Sequence, residues 1–167
     1  MSLRGATNAT LPTPPALRDP ELLLPNLLPI LKRGGDPNYG PLMNAYLALP
    51  GRDWITYANR AAVLSEIGDF DAALKVNATA LQMAPNEPAA LNNACYIAYE
   101  AGRPAEGLPY CVRAVALAPT EAAVRDSYAS VLAATGKCTE ATAQYAEARR
   151  LDPTMAATQK PVACKAR

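Results

Sequence analysis

The chain has 167 residues, is half apolar and carries a net charge of +1, which allows one domain with an extension and no more. That near-neutral balance supplies no broad field for nucleic acid or anionic lipid. The absence of histidine removes the commonest general base, the commonest metal ligand and every Ser–His or Cys–His arrangement, so no cofactor or metal is expected.

The first 50 residues hold nine of the sixteen prolines. Residues 1–38 read as an arm, and 5–18, rich in Thr, Ala and Pro, as its extended part. Asp19-Pro20-Glu21 is a helix start, with Asp19 as cap. The helix should be short, because Pro25 and Pro29 each remove a donor and crowd the preceding turn. Leu22 to Leu31 is the longest apolar stretch, too short to span a bilayer, and no membrane span is expected. Its seven apolar side chains need cover, and an extended arm docked on the chain's own repeats or on a neighbouring copy would supply it. Gly34-Gly35-Asp36-Pro37 is a break. Residues 39–53 form a capping helix and linker, the helix over Pro41 to Leu49 placing Leu42, Tyr46 and Leu49 on one side. The opening residues form no signal peptide, and whether a targeting segment precedes them stays open.

Residues 54–155 carry one pattern three times. Gly68, Gly102 and Gly136 are spaced by 34, and so are Pro85, Pro119, Pro153 and Ala80, Ala114, Ala148. A helical pattern lies on each side of every glycine, and helix–turn–helix units at this period make an all-α solenoid of three repeats, 54–87, 88–121 and 122–155. In the first, a helix from about Asp53 to Glu66 stops at Gly68, and a second from Phe70 to Met83 buries Ala73, Val76 or Asn77, Ala80 and Leu81. In the second, Pro104 suits a first helical position, whereas Pro109 should kink the helix or delay its start at roughly 3 kcal/mol. The third places Leu132, Ala141, Tyr145 and Ala148 in its core. In the tail, 156–167, Pro161 interrupts a further helical attempt.

These units resemble tetratricopeptide repeats. The first offers Tyr57, Arg60-Ala61, Leu64, Ala73, Asn77 and Pro85 at the family's positions. The second offers Leu91, Ala94-Cys95, Ala98, Gly107, Cys111 and Pro119, and the third Arg125, Tyr128-Ala129, Leu132, Ala141, Tyr145 and Pro153. Small residues hold every small position, while Arg60, Arg125 and Asn77 depart from the pattern at large ones. The resemblance implies a non-enzymatic protein–protein interaction module whose first helices line a concave groove. Its wall should be Ile55, Ala58, Asn59 and Ala62, then Asn92, Asn93, Tyr96, Tyr99 and Glu100, then Asp126, Ser127, Ser130 and Ala133. Asn92 and Asn93 can donate to and accept from an extended backbone, and Tyr96 and Tyr99 give contact area at low entropic cost. Equally, Asn93 and Tyr99 could serve only neighbouring helices.

One subclass of the family grips a C-terminal carboxylate with groove cations. The matching positions here are Ala58, Ala62, Asn93, Ala123 and Ser127, none of them basic, so that ligand is not expected. Glu66, Glu100 and Asp126 point to a neutral or basic segment, or to a solvated face. The alternative function is self-assembly into a homo-oligomer through the arm or the solenoid ends. Cys95 and Cys111 read as buried free thiols, offset by about a turn. Cys138 and Cys164 stand either unpaired or bridged, and a bridge would pin the tail and favour an exported setting. Asn8-Ala9-Thr10 and Asn77-Ala78-Thr79 match the glycosylation pattern, the second inside a helix and therefore set aside.

Overall fold

The computed structural model describes residues 19–157 and Cys164. Among them are eight α-helices, one 3-10 turn and no strand: α1 (Pro20–Gly34), α2 (Tyr39–Ala48), α3 (Trp54–Glu66), α4 (Phe70–Met83), α5 (Pro88–Glu100), α6 (Pro104–Leu117), α7 (Ala122–Ala134), α8 (Cys138–Leu151) and the turn Pro153–Ala157. The chain divides into two units, Met1–Tyr46 and Leu47–Arg167. Asn8, Pro161 and the extended stretch 5–18 lie outside the described residues.

In the first unit, α1 is not the short helix that its prolines suggest. It runs fifteen residues through both Pro25 and Pro29. Each proline withdraws only one donor, and both ends are secured. Asp19 accepts from the Glu21 amide at 2.9 Å, and at the other end Gly35 turns left-handed (φ 66°) while Asp36 N donates to Leu31 O. Leu24, Leu28 and Pro29 are buried on one side. The expectation of an extended arm over this stretch is therefore corrected to a helix. In α2 the buried residues are Met43 and Tyr46; Leu42 is half-buried, and Leu49, also half-buried, lies one residue past the helix end.

In the second unit the repeat glycines act alike. Gly68, Gly102 and Gly136 take φ of 81°, 73° and 83°, a region costly for any residue with a Cβ. The next residue's amide reaches back in each case: Asp69 N to Leu64 O, Arg103 N to Ala98 O, Lys137 N to Leu132 O. Each helix pair thus closes by the same device, and α3 packs on α4, α5 on α6 and α7 on α8. The first helices also lie side by side, α3 on α5 and α5 on α7.

The pairs meet along small residues: Ala73, Ala80, Gly107, Ala114, Ala141 and Ala148 are all buried. Larger side chains fill the layers between hairpins. Leu81 bridges the cluster of Ala58, Ala80 and Ala90 to that of Leu91, Ala114 and Val124. Leu64, Leu91, Ile97 and Leu132 are fully enclosed, each worth about 1.5–3 kcal/mol by removal from water.

The three polar departures from the family pattern all donate to backbone carbonyls. Arg60, buried, reaches Leu49 O at 2.8 Å with its guanidinium 5.8 Å from the Tyr57 ring. Asn77, also buried, donates to Ala90 O at 2.8 Å, and Arg125 to Pro119 O at 2.7 Å. Polar side chains at these positions hold loops and helix starts in place of apolar packing.

Two further expectations change. Helix α6 starts on Pro104 and continues past Pro109, with no delayed start. Pro109 is exposed and deprives one carbonyl, that of exposed Ala105, which solvent can serve. Cys95 and Cys111 are bonded to each other rather than free, with Cα atoms 5.1 Å apart. The two cysteines face each other with no such offset, and Gly107 lets α6 lie close to α5 beside them: a Cβ there would stand 2.7 Å from Cys95 O. Cys138 and Cys164 form a second bridge, Cα atoms 5.5 Å apart, and Cys164 packs against Leu132, Ala133 and Ala141.

Candidate functional site

Helices α3 and α5 each turn one face outward at i, i+3, i+4 spacing. Ala62, Ser65 and Glu66 come from α3, and Asn93, Tyr96, Ile97 and Glu100 from α5. Together they line an open trough of about 420 Å³. Ile55 and Asn59 continue the exposed stripe along α3. Asn93 forms the floor of the seam, donating to Ala58 O across the two helices at 3.2 Å, so it ties neighbouring repeats while lining the trough. Half-buried Asn92 keeps its Oδ1 buried without a hydrogen-bond partner.

Tyr96 is the main exposed aromatic surface here, 42% accessible, with its ring 6.0 Å from that of Tyr99 and inclined by 40°. Burial, then the charge of Glu100 and a hydrogen bond with it, push the Tyr96 phenol up to about 12. Tyr99 is raised by burial and then by Glu100 and Asp126. Towards α7 the surface continues through Asp126, and Ser130 Oγ lies 3.1 Å from the Tyr145 hydroxyl of α8. Burial raises Tyr145 most, the Ser130 bond lowers it, and Asp126 raises it again. In all three the largest cause is burial of the phenol, with Glu100 or Asp126 adding to it.

Of the residues expected on the groove wall, Ala62, Asn93, Tyr96 and Glu100 meet in one trough. Asn92, Tyr99 and Asp126 are half-buried beside it. Ala58, Ser127, Ser130 and Ala133 are buried rather than open on the wall: Ala58 packs with Ala80 and Ala90, Ser130 meets Tyr145 of α8, and Ala133 packs with Leu132, Ala141 and Cys164. Ser127 turns its hydroxyl back to Ala123 O at 3.0 Å. Ser65 and Ile97 escaped the sequence reading. They neighbour positions on the expected face, and helical spacing from Ala62 and Asn93 reaches them.

The architecture is that of tetratricopeptide-like α-solenoids. Two solved structures share it: MamA 41-end from Desulfovibrio magneticus RS-1, and a MamA RS-1 double mutant labelled ArsTM. Each is 20% identical to this chain with a TM-score of 0.59, covering 81% of it and 77% and 76% of their own lengths respectively. No family model matches the sequence, and no curated protein matches it significantly. Among the described residues no helix is long and apolar enough to cross a membrane.

Proposed function

We propose that the chain is a non-enzymatic interaction module that binds an extended segment of a partner protein along α3, α5 and α7. The observation that carries this reading is the open trough between α3 and α5. It combines an exposed tyrosine, an asparagine amide and exposed, apolar Ala62, a mixture suited to backbone and side chain together. The two bridges favour an oxidising compartment as the place of action. Selection of a displayed random-peptide library on the intact, oxidised chain tests it. Peptides should be enriched whose binding is abolished by Ala62→Phe, which fills the trough, and weakened by about tenfold or more by Tyr96→Ala. Enriched peptides indifferent to both substitutions would refute the reading.

A second reading, self-assembly, rests on α1, where Leu22 and Ile30 are 59% and 58% exposed. Light scattering should then show a concentration-dependent mass that Leu22→Glu with Ile30→Glu reduces to one chain. A single-chain mass across the full concentration range discards it.

A further inference from the structure

A second cleft shares no lining residue with the trough. Leu74, Asn77 and Leu81 of α4, Ala94 and Ala98 of α5 and Tyr110 of α6 stand around a space of about 220 Å³. Asn77 holds the place taken by Cys111 and Tyr145 one and two periods later, and its side chain is shorter than the ring Tyr145 supplies. That asparagine also leaves a chemical demand. It is 1% exposed, and its Nδ2 donates to Ala90 O at 2.8 Å. The bond fixes which way round the amide stands, since a carbonyl only accepts. The other end, Oδ1, is buried with no hydrogen-bond partner among the described residues. An acceptor left in this state costs free energy until a donor meets it.

We propose that this cleft binds a small neutral ring compound carrying one N–H or O–H donor, with its ring against Leu74 and Leu81 and its donor on Asn77 Oδ1. Size sets the class of ligand. An apolar cavity of roughly 150 Å³ admits benzene. At about 220 Å³ the cleft admits a ring of phenol or indole size, and it falls below the roughly 300 Å³ at which drug-sized ligands begin to fit. A ring without a donor would gain the same apolar contact yet leave Oδ1 unserved. None of the lining residues is basic and Glu106 is among them, so an anion would meet a like charge with no partner. The site does not depend on the trough, and its test stands whichever way the peptide selection falls.

Titration of the intact, oxidised chain with indole, followed by calorimetry or NMR, supplies that test. Indole should saturate one site at or below about 1 mM, a range suited to so few atoms. 1-Methylindole, which lacks the donor, should bind about five- to a hundredfold more weakly, and indole-3-carboxylate should not bind measurably. Ala78 lines the cleft and is exposed, so Ala78→Trp should occupy the space from within the chain and abolish indole binding while circular dichroism shows the helices intact. Asn77→Leu should bind indole and 1-methylindole alike, the preference for a donor being gone. Equal affinity of the parent chain for the two rings, indole binding that survives Ala78→Trp, or no saturation at ten times the expected concentration overturns the proposal.

Discussion

A methyl group added at Gly107 would stand 2.7 Å from the Cys95 carbonyl oxygen and 3.1 Å from Ala98 Cβ. In an exposed helix the same change would stabilise by about 1 kcal/mol. Here the obstacle is backbone and cannot swing aside. Gly107→Ala should therefore destabilise by a net 1–3 kcal/mol or so, as overpacking does, measured by urea unfolding. Ala73 and Ala141 hold the equivalent places in the other hairpins and tolerate a Cβ. Tyr96 offers a prediction of another kind. Its phenol ionises near pH 10 in the unfolded chain but near 12 when folded, so the unfolded state loses its proton first. The stability it contributes is complete below pH 10 and falls as pH rises towards 12. Tyr96→Phe should flatten that decline in alkaline unfolding curves. At this scale the sequence disclosed the small seams, because close helix contact demands small residues. It could not disclose that Ala58 is covered, since part of its cover, Ala90, comes from the next repeat.

Proline content misled at the level of the helix. Pro25 and Pro29 argue for interruption when each is weighed alone, yet a capped helix with buried Leu24 and Leu28 absorbs the loss of two donors. Pro109 follows the same logic within α6. Restoring the amide with Pro109→Ala should stabilise the protein by about 1–3 kcal/mol, less a few tenths for the looser unfolded chain, read as a higher melting temperature. The boundaries of α3, α4 and the other repeat helices were legible because three glycines and three prolines mark them at a constant step. The cysteine pair in the middle hairpin was not, since pairing depends on how far Gly107 lets two helices approach.

For the molecule as a whole, the bridges enclose spans of 16 and 26 residues. Chain-entropy arguments assign each about 3 kcal/mol of stability. Reduction should therefore lower the thermal midpoint in two separable steps, with Cys138→Ala, Cys164→Ala losing only the tail's contribution. An unchanged midpoint in reductant would show that packing alone sustains the array.

Neither bridge crosses from one repeat to the next: Cys95–Cys111 closes within the second, and Cys138–Cys164 joins the third to its own tail. Each hairpin is stiffened internally while the hinge between hairpins stays non-covalent, held where α3 meets α5 by packing and the Asn93 amide on Ala58 O. Neither bridge therefore fixes the distance across the trough, and Asn93→Ala should raise hydrogen exchange along the α3–α5 seam without melting either hairpin.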